Sequence, residues 1–278
     1  MKQRPSFPAS LDVTLAKNRP NAHGVPVATV AAKSHAPASA TPIAARAKPM
    51  SPAAAPQGHG MESGALRARM VQKLAAGGIS DTHVLAAMGT IERHRFVDSA
   101  LVNQAYEDTS LPIGLGQTIS KPGVVSRMLE LLLQGPLGNP GKLGRVLEIG
   151  TGCGYQAAVL SLLASEVYSI ERLRGLHDKA RDNLRHMRLA NLHLLFGDGM
   201  VGFAKGAPYA GIIAAAGGEA VPQAWVDQLA VGGRLVAPVV TVGAPGAQAL
   251  LVLDKTPQGV RQSLLEAVHF VPLKSGIG

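Results

Sequence analysis

The stretch Val146-Leu-Glu-Ile-Gly-Thr-Gly-Cys-Gly-Tyr155 decides the fold, because an apolar strand runs directly into three alternate glycines. Glycines allow positive φ and let a ligand approach the backbone closely. In an open parallel sheet such a turn lies at the carboxyl end of a strand, near the point where the strand order reverses, and ligands bind there. The stretch therefore predicts a nucleotide-like ligand held by Gly150, Thr151, Gly152 and Gly154.

Apolar segments alternate with helical segments on both sides of this glycine loop. Strands are predicted at 145–149, 167–171, 192–196, 212–215, 234–237, 249–253 and 264–271. Helices are predicted at 62–76, 81–91, 122–133, 155–163, 174–189 and 223–229, with a loop at 111–120. Apolar strands that alternate with helices form parallel sheets covered on both faces. The pattern predicts an α/β fold: a doubly wound, mostly parallel, seven-stranded Rossmann-like sheet with extra N-terminal helices.

Three acids at strand ends indicate which ligand the loop binds. A dinucleotide fingerprint requires a third glycine at the position of Tyr155, and Glu148 would sit badly under a pyrophosphate. A carboxylate there attracts a cationic cofactor. Glu171 closes the second strand, where it can accept hydrogen bonds from ribose hydroxyls, and Asp198, followed by Gly199, closes the third, where it can accept from an adenine amino group. The set favours S-adenosylmethionine.

The charge of the 278-residue chain is concentrated at one end. The formal net charge is +9, of which residues 1–60 carry 7 − 1 = +6 and the remainder only +3. Residues 1–60 are rich in Ala and Pro and show no structural period, so a disordered basic tail is expected, with the methyltransferase domain at 61–278 and a helical substrate-loop region at about 61–140. A functional tail and a start at Met61 or Met70 are the alternatives. The nearly balanced remainder argues against a nucleic-acid partner.

Cys153 is the only cysteine, so neither an internal disulfide nor a cysteine-cluster metal site is possible. The nine histidines form no HExxH pattern, and no metal is expected. No apolar run reaches the roughly 18 residues that cross a bilayer, so no membrane association is expected. A cytoplasmic protein is the expectation.

The chain resembles the protein-L-isoaspartate O-methyltransferase family over residues 62–276. The resemblance is carried by 106–122, 146–156, 168–172, 197–199, 228–238 and 268–273. Many methyltransferases share the glycine loop, whereas Gln117-Thr-Ile-Ser120 and Phe270-Val-Pro-Leu273 are specific to this family. The resemblance implies transfer of the methyl group of S-adenosylmethionine to the α-carboxylate of L-isoaspartyl residues in damaged proteins. The ester then closes to a succinimide, which returns in part to aspartate.

The resemblance also implies the substrate residues. It places Ser120 in the active site, with Thr118 and Ile119 beside it, and His269 and Val271 along the peptide-binding cleft. A carboxylate with a pKa of about 4 is ionised at neutral pH and needs no general base, so Ser120 is expected to orient it by a hydrogen bond. The alternative for Ser120 is an N-cap of the helix that follows, and the alternative for 269–273 is an ordinary edge strand that ends at a proline. Isoaspartyl proteins are the implied partners and a monomer the implied state.

Two departures from the family pattern leave other functions open. Ala210 replaces a usual acid, expected beside the cofactor loop, and Gly123 replaces a bulkier residue, which would loosen the substrate loop. A cofactor-binding module without turnover is therefore one alternative. A nucleic-acid methyltransferase is another, although residues 214–219 lack an Asn-Pro-Pro-Tyr-like motif for a flipped base. An NAD-dependent oxidoreductase is the third.

Overall fold

The computed structural model describes residues 59–138, 141–241 and 246–278, with side chains from Ser63 onward. The expected tail at 1–60 lies outside the described residues except for its last two, which belong to the first helix. The helices are α1 His59–Ala76, α2 Thr82–Thr90, α3 Pro122–Leu133, α4 Tyr155–Leu163, α5 Arg174–Leu184 and α6 Gln223–Gln228. The strands are β1 Leu111–Gly114, β2 Gln117–Ile119, β3 Leu143–Ile149, β4 Ala164–Glu171, β5 Leu192–Phe196, β6 Tyr209–Ala214, β7 Leu229–Val240, β8 Gln248–Thr256 and β9 Gly259–Val268.

Seven of these strands form one sheet in the order β5-β4-β3-β6-β7-β8-β9. The five strands from β5 to β7 are parallel, and β8 and β9 add antiparallel pairs at one edge. The order reverses beside β3, which lies between β4 and β6. The glycine loop that follows β3 is therefore at the topological switch point. The predicted doubly wound, mostly parallel sheet is confirmed.

The central strands β3, β4 and β6 are buried on both faces of the sheet, and their successive side chains point alternately into two apolar clusters. On β3, Val146 packs into the apolar cluster formed with α1 to α5, and Leu147 and Ile149 pack into a second cluster that contains Trp225 of α6. Each fully buried aliphatic side chain contributes about 1.5–3 kcal/mol relative to exposure. The alternation holds β3 in register, so the glycines after Ile149 emerge at a fixed place.

The segment at 111–120, predicted as a loop, is instead a small antiparallel hairpin of β1 and β2. Leu111 pairs with Ile119, and the turn uses positive φ at Gly114, Leu115 and Gly116 (99°, 52° and 68°). Glycine adopts such φ values without the steric cost of a Cβ, which lets this short turn reverse the chain. The hairpin delivers Ser120 directly to the start of α3.

Three further element predictions were wrong by five residues at one end. The strand predicted at 234–237 begins at Leu229 and ends at Val240. The helix predicted to 189 ends at Leu184, followed by a 3₁₀ turn at Arg185–Met187 and a left-handed residue, Arg188. The last strand, predicted at 264–271, is Gly259–Val268. The chain leaves β9 there because Val271 and Leu273 hydrogen-bond to Gly217, beside the carboxyl end of β6.

Candidate active site

A cavity of about 260 Å³ opens at the carboxyl ends of β3 and β4. Its floor is the glycine loop, one wall is the β1–β2 hairpin, and the opposite wall is the segment Val271–Lys274 after the last strand. Glu171 at the end of β4 completes it. Four segments far apart in sequence therefore converge on one concave site.

The glycine loop needs glycine for both conformation and space. Gly150, Gly152 and Gly154 have φ of 90°, 58° and 91°, values that L side chains rarely adopt. A Cβ at Gly154 would fall 2.7 Å from Leu184 Cδ1 on α5. The loop is tied to the next strand because Gly150 N donates to the carbonyl oxygen of Ile170 at 2.9 Å. The predicted loop residues Gly150, Gly152 and Thr151 all line the cavity, and Gly154 starts α4 behind it.

Glu171 lies where the sequence predicts it, at the end of the second parallel strand and in the cavity wall. Its Oε2 accepts a hydrogen bond from Gly152 N and its Oε1 accepts one from Leu173 N, both at 2.9 Å. Each carboxylate oxygen can accept a second hydrogen bond. Glu171 is therefore fixed by the backbone with capacity left for two hydroxyl donors.

Asp198 stands at the end of β5, but only its neighbour Gly199 lines the cavity. Asp198 Oδ1 accepts from Met200 N at 2.8 Å, and Oδ2 accepts from Gly276 N at 2.6 Å. A Cβ at Gly199 would meet Ile149 Cγ2 at 2.6 Å, so only glycine fits against β3. The Asp198 carboxylate thus ties the C-terminal segment to the rim of the cavity, a contact that no local sequence pattern predicts.

Glu148 does not face the cavity, contrary to the expectation that its carboxylate would meet a cation there. Its side chain is fully buried in the sheet, and burial raises its pKa to about 8, opposed by a hydrogen bond from Ser169. Ser169 Oγ also hydrogen-bonds Thr151 Oγ1 at 2.6 Å. Glu148 therefore supports the glycine loop through its hydrogen bond with Ser169, which in turn bonds Thr151. Glu148 is buried because β3 lies between the neighbouring strands β4 and β6.

Ser120 lies between β2 and α3, half-buried, and it lines the cavity. Its side chain makes no hydrogen bond to any other residue in the described part of the chain. The alternative role as N-cap is wrong: Lys121 holds the N-cap position, and the α3 amide Gly123 N donates to Asp108 Oδ1 at 2.6 Å. The Ser120 hydroxyl is therefore available to a ligand. Asp108, fifteen residues before Gly123, is a helix cap that sequence reasoning missed.

The other predicted substrate residues divide into two groups. Thr118, Ile119 and Val271 line the cavity. His269 does not: its side chain is exposed, whereas the next residue, Phe270, is buried and exchanges backbone hydrogen bonds with the side chain of Gln248. Phe270 takes the inward position because it is the apolar member of the pair.

Both departures from the family pattern have structural explanations. Ala210 is the second residue of β6 and packs near Gly144 at the amino end of β3. The glycine loop is opposite Ala214, four residues or about 13 Å along the strand, so the expectation that Ala210 lies beside the cofactor loop is wrong. A Cβ at Gly123 would fall 2.9 Å from the Asp108 carboxylate, which accepts a hydrogen bond from Gly123 N, so glycine leaves room for this contact.

Lys179 of α5 is a further residue that the sequence did not single out. Its Nζ donates to the carbonyl oxygen of Ile113 at 2.8 Å and so fixes the hairpin over the cavity.

Among the described residues no cluster of His, Cys, Asp and Glu is arranged to hold a metal ion. None of the described helices combines the length and hydrophobicity that a bilayer crossing requires.

Nucleotide-binding proteins and S-adenosylmethionine-dependent methyltransferases share a doubly wound sheet with a glycine loop after the first parallel strand and an acid closing the second. The glycine spacing here, with Tyr155 where a dinucleotide fingerprint has its third glycine, favours the class of S-adenosylmethionine-dependent methyltransferases. Within this class, the sequence profile of the protein-L-isoaspartate(D-aspartate) O-methyltransferase family matches residues 65–278. A protein-L-isoaspartate O-methyltransferase of Leptothrix cholodnii is 62% identical over 220 residues, which are 79% of this chain and 77% of that protein. The chain belongs to the protein-L-isoaspartate(D-aspartate) O-methyltransferase family.

Solved structures agree with this assignment. A protein-L-isoaspartate O-methyltransferase aligns with a TM-score of 0.66 at 27% identity, over 76% of this chain and 67% of that one. A structure described as a beta-aspartate methyltransferase from Plasmodium falciparum, in complex with S-adenosyl-L-homocysteine, aligns with a TM-score of 0.64. At 22% identity over 75% of this chain and 98% of that one, it shows the shared fold alone. The activity is S-adenosylmethionine-dependent methylation of isoaspartyl carboxylates, a repair reaction.

Proposed function

We propose that the cavity holds S-adenosylmethionine on the glycine loop and the isoaspartyl carboxylate against Ser120. The observation that carries this proposal is the convergence of Ser120, the glycine loop and Glu171 on a single cavity. The hairpin and α3 place Ser120 at one side, and β3 and β4 place the loop and the acid at the other. The two reactants then meet between elements that are each anchored by hydrogen bonds.

The residues present fit the cofactor. Gly152 and Gly150 leave the backbone bare where a ligand must approach closely, and Glu171 has free acceptor capacity for the two hydroxyls of a ribose. Gly199 lines the cavity beside Asp198, and in this proposal the adenine base lies against it. Asp198 accepts the adenine amino group in this proposal, alongside its bond to Gly276.

The chemistry demands alignment more than acid–base groups. Bound S-adenosylmethionine supplies an electrophilic methyl group on a good leaving group. The acceptor carboxylate is ionised at neutral pH, so no residue has to remove a proton. The Ser120 hydroxyl donates a hydrogen bond that orients the carboxylate, and Thr118, Ile119 and Val271 form the surrounding wall that excludes water.

Two residues act from outside the cavity in this proposal. Glu148 holds the loop through Ser169 and Thr151 rather than by direct contact. His269 takes part only through the backbone course that brings Val271 into the wall. Cys153 lines the cavity, but burial raises the pKa of its thiol, so it remains a neutral packing residue and not a nucleophile.

The role of Ser120 is tested by steady-state kinetics with an isoaspartyl peptide. Ser120→Ala removes a hydrogen bond to a charged group, which is worth about 1.5–3 kcal/mol, so kcat/KM is expected to fall by about 10- to 100-fold. Ser110→Ala, at the exposed start of the same hairpin, is the matched control and keeps wild-type kinetics. Equal activity of the two variants contradicts the assignment.

We also propose that residues 61–278 form the catalytic domain and that the protein acts as a cytoplasmic monomer without a nucleic-acid partner. The family profile at 65–278 supports the domain bounds. The single free thiol of Cys153 suits a reducing compartment. Light scattering after size-exclusion chromatography tests the monomer, since a mass of twice 28.7 kDa would contradict it.

A further inference from the structure

Arg93 is a buried cation that the proposed mechanism does not use. It lies in the 3₁₀ helix Arg93–Phe96 and is completely inaccessible to solvent. Its Nε donates to the carbonyl oxygen of Ala105 at 2.8 Å, and its Nη2 is 3.5 Å from that of Thr109. Its Nη1 has no hydrogen-bond partner among the described residues. A guanidinium held in this way is costly to bury and needs a physical explanation.

No described carboxylate forms an ion pair with Arg93. The guanidinium carbon lies 4.9 Å from the ring centroid of Tyr155, and burial raises the pKa of that phenol to about 12. Burial also raises the pKa of the Cys153 thiol. Both neighbours are therefore neutral. Asp108 attracts Arg93 electrostatically, but its carboxylate is exposed, bonded to Gly123 N and 3.8 Å from Lys121 Nζ. Among the described residues, the charge of Arg93 is therefore offset only by the Tyr155 ring and by the exposed Asp108 carboxylate, and no anionic group is buried beside it.

This buried charge lies behind the wall of the active site, because its neighbours Tyr155 and Cys153 both line the cavity. The space in front of that wall receives a carboxylate and a sulfonium, if the proposed placement of the reactants is correct. We propose that Arg93 is a positioning residue whose buried positive charge attracts the isoaspartyl carboxylate into the cavity. The same charge lowers the affinity for the cationic sulfonium until the carboxylate is bound.

The charge balance of the reaction sets what this residue can change. The carboxylate oxygen bonds to the methyl carbon while the methyl–sulfur bond breaks, and its electron pair stays on sulfur. One negative and one positive charge disappear together, so a fixed cation affects the ester and thioether products little. Arg93 therefore acts on the binding of the charged reactants, and its removal should appear in KM for the peptide and in the affinity for the cationic cofactor rather than in product affinity.

The test compares two ligands that differ in charge at sulfur, S-adenosylmethionine and S-adenosylhomocysteine, by calorimetry. Charges about 10 Å apart in a partly screened protein interact strongly enough to change binding by roughly tenfold. Arg93→Gln and Arg93→Met are expected to improve S-adenosylmethionine binding relative to S-adenosylhomocysteine by about five- to tenfold and to raise the peptide KM by a similar factor. Arg93→Lys, which keeps the charge, should stay within about twofold of wild type on both measures.

If Arg93 had a purely structural role, its substitution would change the affinity for both sulfur ligands equally, and Arg93→Lys would show the same change. That result overturns the proposal. The unchanged protein provides a test that does not depend on folding of the variants. With S-adenosylhomocysteine bound, an isoaspartyl peptide should bind about tenfold more tightly than the same peptide with its α-carboxylate replaced by a carboxamide. No preference for the carboxylate overturns the proposal. Failure of the unchanged protein to bind either sulfur ligand would instead contradict the proposed cofactor site.

Discussion

Glu148→Gln should remove a large pH dependence from the stability of the protein. Glu148 is completely buried, and burial raises its pKa from 4.5 to about 8. A glutamine has the same shape as the protonated acid and keeps an oxygen that can accept from Ser169 Oγ. The variant therefore mimics the neutral form of Glu148 at every pH.

The sign and size of the effect follow from linkage. Because the folded pKa lies above the unfolded value, the stabilisation is fully present below about pH 4.5 and is lost as the pH rises through about 8. Each pKa unit is worth about 1.4 kcal/mol, so the wild type should lose about 3 kcal/mol more than the variant between pH 5 and pH 8. For a domain of this size the difference corresponds to about 6–12 °C in Tm.

Thermal and chemical denaturation of both proteins at pH 5, 6.5 and 8 measure this difference. The variant should become the more stable protein as the pH rises. Glu166→Gln is the control, because hydrogen bonding to Arg145 lowers the pKa of Glu166 and its contribution is instead lost as the pH falls. Parallel pH profiles of the wild type and Glu148→Gln would contradict this prediction and mean that folding does not raise the pKa of Glu148.

Three other substitutions test the packing around the site. Gly154→Ala should destabilise the fold by about 1–3 kcal/mol and weaken cofactor binding, because the residue has a φ of 91° and no room for a Cβ, whereas Gly64→Ala, in open space on α1, should be neutral or stabilising in the same denaturation assay. Asp108→Ala removes the hydrogen bond to the first turn of α3, so it should lower the free energy of unfolding by about 1 kcal/mol and raise the peptide KM. An unchanged KM would mean that this cap does not hold Ser120 in position. Leu147→Ala, in the centre of β3, should cost about 2–5 kcal/mol in urea unfolding, and a smaller loss would mean that the second apolar cluster relaxes into the space.

Local patterns in the sequence are sufficient to predict the mostly parallel sheet, the glycine loop and the position of Glu171. The run from β3 into alternate glycines places the loop, and the acid that closes the next apolar strand places Glu171, because parallel strands end at the same edge of a sheet. Burial of Glu148 could not be predicted in this way. It depends on the neighbouring strands and helices that cover β3, which a single stretch of sequence does not specify.

Contacts between distant segments account for the remaining differences. Asp108 caps α3 across fifteen residues, and Asp198 binds Gly276 across seventy-eight. No sequence pattern links such pairs. Ala210 lies at the amino end of β6, and the cofactor loop is at the carboxyl end, because β6 runs parallel to β3 and Ile149 pairs with Ala214.

The proposed alignment of an isoaspartyl carboxylate with the methyl group of S-adenosylmethionine in this cavity predicts which peptides the protein methylates. The most direct measurement incubates the protein with methyl-labelled S-adenosylmethionine and two peptides that differ only in L-isoaspartate or L-aspartate at one position. Base-labile methyl ester should form on the isoaspartyl peptide alone. Labelling of both peptides equally, or of neither while S-adenosylmethionine binds, would contradict the account.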